Sequence, residues 1–194
     1  MHDTEDPFAA FETWLADAKL VELNDPNAMT LATATTDGRP SARIVLLKSA
    51  DRGGFVFYTN TLSRKGNELA DNPHAALLFH WKTLGRQIRI EGPVEPVHPA
   101  EADAYFSSRP RESRLGAWAS DQSRPLPDRS ELINRLLDLN DQYPGDTIPR
   151  PPHWSGFRLR PERFEFWQDM PFRLHDRTIY AAEGGNWRVS KLYP

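Results

Sequence analysis

Apolar residues recur along this chain with two spacings, and the switches between them mark the elements. Asp6-Pro7 reads as an N-cap followed by proline at the first helical position. Phe8, Phe11, Leu15 and Ala18 follow at helical spacing, so a short amphipathic helix with its aromatics in the core is expected. Two β-prone runs, 28–35 and 41–48, flank Asp37-Gly38, a strong hairpin signal. Gly53-Gly54 turns the chain into a strand over 55–60, and Ser63 then caps a helix running to about residue 71. Strands are expected over 75–81 and 86–97; in the second, Gln87, Arg89 and Glu91 alternate with Ile88 and Ile90. Residues 99–108 read as a helix, Pro110 argues for a break, and 115–119 continues helically with Trp118 in the core. An amphipathic helix is expected over 128–143, with Leu132, Ile133, Leu136, Leu137 and Leu139 as its core side. A proline-rich connector, 144–152, leads to four closing strands over 154–160, 163–168, 173–180 and 187–192, with a turn at 183–186. Roughly eight strands and four helices, mostly joined by hairpin-length connections, imply a mainly β (α+β) fold: an antiparallel barrel with peripheral helices.

Composition narrows the classes. With 194 residues the chain is long enough for a substantial core and is read as a single domain, 1–194. A net charge of -3 gives no overall basic field for nucleic acid or a membrane surface. The absence of cysteine excludes disulfides, thiolate catalysis and a cysteine zinc site, and is compatible with a reducing compartment. The start, Met1-His2-Asp3-Thr4-Glu5-Asp6, is acidic and unlike a signal peptide. No apolar run approaches the ~20 residues of a membrane span, so a soluble cytoplasmic protein is the simplest expectation. There is no glycine-rich phosphate loop or dinucleotide fingerprint, and the histidines lack metal-ligand spacing.

Three stretches carry candidate chemistry. Arg64 and Lys65 fall in the first turn of a helix, where cations oppose the helix dipole. Either an anion is bound there by the backbone amides and both cations, or the turn is merely solvated; the anion site is favoured. Tyr105, Arg109 and Ser113 are spaced by four, and a kink at Pro110 still leaves them close. They form either a phosphate cradle or a basic corner in solvent. Arg173, His175 and Arg177 alternate with Leu174 and Asp176, so a strand places all three on one face. That face is either a solvated edge or one lying against an anion or an electron-rich ring.

The run Phe164-Glu165-Phe166-Trp167-Gln168 through Arg173-Leu174-His175-Asp176-Arg177 resembles the C-terminal signature of pyridoxamine 5′-phosphate oxidases. The segments 43–48, 57–60, 63–65, 86–87, 105–106, 108–111, 116–118 and 122–123 are similar to that family in the same order, so the resemblance covers about 6–194. It implies a homodimeric split β-barrel that binds FMN at the subunit interface, with 150–194 as dimerisation and active-site segment. It also implies oxidation of pyridoxine or pyridoxamine 5′-phosphate to pyridoxal 5′-phosphate, with O2 leaving as hydrogen peroxide. By resemblance, FMN contacts fall on Arg43, Ile44, Val45, Leu46, Leu47, Lys48, Tyr58, Thr59, Arg64, Lys65, Gln87, Gln122, Ser123, Trp167 and Arg177. Substrate contacts fall on Lys48, Tyr105, Arg109, Ser113, Arg173 and His175, the last two serving catalysis by orienting the substrate ring and stabilising charge. Two departures are noted: the longer N-terminal arm of many members is expected to be missing, and Asp169-Met170-Pro171-Phe172 replaces a glycine-containing linker. The competing readings are a related flavin oxidase acting on another small aromatic, such as a phenazine precursor, and a non-catalytic flavin- or haem-binding split barrel.

Overall fold

The computed structural model describes residues 5–194; the acidic start 1–4 lies outside the described residues. Helix α1 (Pro7–Val21) is capped by the Asp6 carboxylate, which accepts from the Phe8 amide at 3.1 Å. The hairpin β1 (Ala28–Ala34) and β2 (Pro40–Leu46) turns at Asp37-Gly38 as the sequence predicts. A short β3 (Ser49–Asp51) then pairs with β4 (Gly54–Asn60). Helix α2 (Arg64–Asp71) starts at Ser63, whose hydroxyl accepts from the Gly66 amide. After it come β5 (His74–Trp81), β6 (Arg86–Pro96), α3 (Pro99–Ser108), α4 (Arg111–Ala119) and α5 (Arg129–Gln142). The chain closes with β7 (Trp154–Leu159), β8 (Arg163–Gln168), a 3-10 turn (Pro171–Arg173), β9 (Asp176–Glu183) and β10 (Asn186–Lys191).

The strands form one curled antiparallel sheet, a split barrel, in the order β10-β9-β8-β6-β5-β1-β2. The unit β3–β4–β7 joins it through β6. Strand β6 serves both parts: Arg86 to Glu91 pair with β8, and Val94 to Pro96 pair with β7. The changeover falls at Gly92, where a Cβ would strike the Arg160 backbone, so a side chain there would block the closure.

The alternating inner face supplies Met29, Leu31, Leu77, Phe79, Ile88, Ile90, Phe164 and Phe166, all buried. Phe11 of α1 meets Phe55 and Phe79 edge-on at 4.9 and 5.2 Å, and Trp14 meets Phe166 at 5.2 Å. Such pairs add about 0.5–1.5 kcal/mol each beyond the area they bury. A second cluster of Phe106, Leu115, Ile148 and Trp154 fixes α3 and α4 beside β4 and β7.

Four expectations need correction. The described residues hold ten strands and five α-helices where roughly eight and four were expected, β3 being too short to be seen in the pattern. Trp118 is half-buried, its indole N–H donating to the Pro149 carbonyl at 2.7 Å. The apolar side of α5 is not core: Ile133, Leu136 and Leu137 are exposed, and Leu139 alone of the five expected positions packs against the second cluster. Arg173 and His175 precede β9, so the closing strand is shorter than its two-residue alternation suggests.

Gly66 sits where α2 crosses the Thr61 backbone, and an added Cβ would run into the Thr61 carbonyl. Gly66→Ala is expected to lower stability by about 1–3 kcal/mol through overpacking, despite alanine's better helix propensity. Urea denaturation checks it; an unchanged or raised midpoint contradicts the close approach.

Candidate active site

A cleft of about 1030 Å³ lies along β2, which ends the sheet. Ser41, Ala42, Arg43, Ile44, Val45 and Leu46 all line it. Consecutive residues of a strand point to opposite faces, so an unbroken run can border a cleft only through the strand's edge. That edge offers backbone donors and acceptors to a ligand. Leu47 lies in the core instead, while Lys48 returns to the cleft.

One end of the cleft is the start of α2. Lys65 is buried, with Nζ 2.8 Å from Gln122 Oε1, 3.1 Å from Thr59 Oγ1 and 3.3 Å from Ser63 Oγ. Burial, reinforced by the Arg43 charge, brings its pKa down to about 8. No carboxylate is among its hydrogen-bond partners, so an arriving anion would restore what burial removes. Ser123 borders the same end with φ 71°, an uncommon conformation for a non-glycine residue.

The cations here are held by a carboxylate that the sequence pattern does not single out. Glu68 is 5% exposed. Its Oε2 accepts from Thr33 at 2.5 Å and Ser41 at 2.6 Å and lies 3.3 Å from Arg43 Nη2; its Oε1 accepts from Arg64 Nε at 2.8 Å. Burial raises the Glu68 pKa, but the hydroxyl and arginine hydrogen bonds outweigh it and bring the value down to about 2. The Arg64 charge in the first turn therefore has an internal partner one turn on, where solvent or a bound anion was expected to answer it.

The other end is aromatic and cationic. Tyr58 stacks on Tyr105 at 4.1 Å and on Trp154 at 5.2 Å. Burial, with Glu101 nearby, pushes the Tyr58 phenol up to about 12. The Arg109 guanidinium lies 4.8 Å over Trp154, and its Nη1 is buried without a hydrogen-bond partner. Burial lowers the Arg109 pKa. Lys48 Nζ is 5.9 Å from the Tyr105 ring, and Ser113 borders the same space from α4. The break at Pro110 thus keeps Tyr105, Arg109 and Ser113 around one space, as their spacing suggests.

Gln87, Trp167, Arg173, His175 and Arg177 do not line this cleft. Gln87, Trp167 and Arg177 are register partners across β6, β8 and β9 and form one row on the sheet. Arg177 is tied down by Glu165, a 3% exposed carboxylate that also receives Arg89. Asp169 Oδ1 lies 3.0 Å from His175 Nδ1, and the imidazole rests 4.6 Å from the Trp167 ring. The expected common strand face for Arg173, His175 and Arg177 is overturned: Phe172 and Arg173 turn with φ 59° and 62° before the strand begins. In the sheet order β6 is three steps from β2 and β9 five.

A family model for pyridoxamine 5′-phosphate oxidase matches residues 16–168. The chain belongs to the pyridoxamine 5′-phosphate oxidase family. A second model, the pyridoxine 5′-phosphate oxidase C-terminal dimerisation region, matches residues 154–194, which supports a homodimer for this family member. The pyridoxine/pyridoxamine 5′-phosphate oxidase of Gluconobacter oxydans is 64% identical, covering 97% of this chain and 94% of the relative. That of Rhodospirillum rubrum is 60% identical, covering 99% and 98%. Among solved structures, PhzG from Burkholderia lata 383, in complex with tetrahydrophenazine-1-carboxylic acid, superposes with a TM-score of 0.93 at 36% identity, covering 99% and 94%. A pyridoxamine 5′-phosphate oxidase-related, FMN-binding protein from Nostoc punctiforme shares the fold, with a TM-score of 0.78 at 15% identity over 97% and 98%.

The depressed Glu68 pKa has a defined sign. Stability from this carboxylate is fully present above the ordinary value of 4.5 and is lost as pH falls toward about 2. Glu68→Gln is expected to cost about 3 kcal/mol at pH 7, the usual scale for breaking a buried ion pair. Urea titrations should show the gap to wild type closing as pH drops below 4.5. A gap independent of pH contradicts the ionised, buried Glu68.

Proposed function

We propose that this family member is an FMN-dependent oxidase that converts pyridoxine 5′-phosphate or pyridoxamine 5′-phosphate to pyridoxal 5′-phosphate. The alcohol and O2 give the aldehyde and hydrogen peroxide; the amine, O2 and water give the aldehyde, ammonia and hydrogen peroxide. The observation that carries this reading is that one cleft has two separate cationic ends. Each end holds a cation with no carboxylate among its hydrogen-bond partners: the buried Lys65 at one, the half-buried Arg109, with Nη1 sealed and unpaired, at the other. A single phosphorylated ligand needs one such end; two phosphorylated rings need both.

FMN fits the first end and the β2 edge. Arg64 and Lys65 would hold its phosphate with Thr59, Gln122 and Ser123, while the edge from Arg43 to Lys48 would face its ring. The flavin supplies the redox chemistry by accepting a hydride. Lys48, Tyr105, Arg109 and Ser113 would take the substrate phosphate, which fixes the substrate's distance and tilt. Arg173 and His175 would place the pyridine ring and stabilise charge as the C4′ hydride leaves. Since these two lie away from the cleft of their own chain, a second copy of the protein would supply them, together with Gln87, Trp167 and Arg177.

A second reading takes its support from the phenazine-bound neighbour at 36% identity: a flavin oxidase acting on a small aromatic acid. The relatives at 60–64% identity favour the vitamer reading, and so does the polar end around Arg109 and Ser113.

Purified protein is expected to be yellow and to consume oxygen with pyridoxine 5′-phosphate. Arg173→Ala is expected to lose turnover by at least about tenfold while keeping its flavin. Bound FMN with no oxygen uptake on either phosphorylated vitamer contradicts this function and leaves the aromatic-acid reading.

A further inference from the structure

Two glycines lie inside helices among the described residues, Gly66 in α2 and Gly116 in α4. Glycine is the poorest helix former after proline, so each calls for a reason. Gly66 has one in the Thr61 backbone packed against it. Gly116 has none within the chain. Its φ lies outside the left-handed region, and a Cβ built on it would meet nothing within 4 Å. The fold alone would accept alanine there and gain from it.

Gly116 lines the cleft. It sits one helical turn after Ser113, at the Arg109 end, and one turn before Ser120, which lies toward Gln122 and Lys65. At about 1.5 Å rise per residue, it is about 5 Å along the helix from each serine. Two phosphorylated rings held by those ends would bring their ring systems together over this point.

We propose that Gly116 is a specificity-determining residue: its missing side chain leaves the space that the edges of the two planar rings occupy. This rests on the function proposed above. A methyl group there narrows the cleft at its middle while leaving both phosphate ends intact. Larger side chains exclude the flavin, the substrate or both.

The test uses Gly116→Ala and Gly116→Ser with three readouts. These are thermal unfolding of the flavin-free protein, FMN affinity by fluorescence quenching, and pyridoxal 5′-phosphate affinity of the FMN-loaded protein by absorbance. Flavin-free Gly116→Ala should melt about 2–4 °C higher than wild type. The Kd for at least one of the two probes should rise about tenfold or more, the scale for one methyl group in a tight pocket. Both Kd values within twofold of wild type overturn the proposal. A lowered Tm in both variants also overturns it, because glycine would then serve the fold. Wild-type protein that binds no FMN overturns the reading of the cleft itself, and that arm separates the two failures.

Discussion

Neighbouring strands of a sheet lie about 4.8 Å apart, so residues several strands from one another are separated along the sheet. That spacing governs how this protein can build a site. The cleft lies at the β2 edge, whereas the row of Gln87, Trp167 and Arg177 sits three to five strands away. The sheet curls around Phe164, Phe79 and the α1 aromatics, which fill its inner side. On the proposed reading each chain carries both groups, and none of Gln87, Trp167, Arg173, His175 and Arg177 lines the cleft of its own chain. A two-fold pairing of copies is the simple geometry that would join them, and the C-terminal dimerisation region includes Trp167 on β8 and Arg177 on β9.

Charge is managed separately in the two halves. In the cleft, Glu68 neutralises Arg43 and Arg64 from below, so the cations are ordered before any ligand arrives. In the far half, Glu165 does the same for Arg177 and Arg89. Each carboxylate is nearly sealed from solvent and gathers its donors from two or more elements. Preorganisation of this kind reduces what a ligand must order on binding. Lys65 and Arg109 are left outside these pairings, one at each end of the cleft.

Much of this was legible in the residues alone. Asp37-Gly38, the Ser63 cap and the break at Pro110 follow from local backbone chemistry, and the structure bears out all three. The antiparallel barrel followed from alternation and short connections. The cleft members Lys65, Tyr105, Arg109 and Ser113 were nominated from helix position and spacing. Glu68 and Glu165 were missed because burial of a carboxylate is decided by partners distant in sequence: Thr33, Ser41 and Arg43 for one, Arg89 for the other. The alternation of Arg173, His175 and Arg177 imitated a strand where Pro171 instead starts a tight turn with two left-handed residues. In α5 the periodicity is genuine, but a pattern cannot say whether a face is covered, and Ile133, Leu136 and Leu137 stand in solvent.

The central claim is that a working site takes its cleft from one copy and its Arg173 and His175 from another. Subunit mixing tests it most directly. Arg109→Ala and Arg173→Ala, each nearly inactive, are unfolded together and refolded as an equal mixture. With shared sites, half the dimers are mixed and each carries one intact site, so activity should return to about a quarter of wild type. If mass spectrometry confirms the mixed dimers and activity stays at the level of the separate variants, each copy builds its site alone and the account is contradicted.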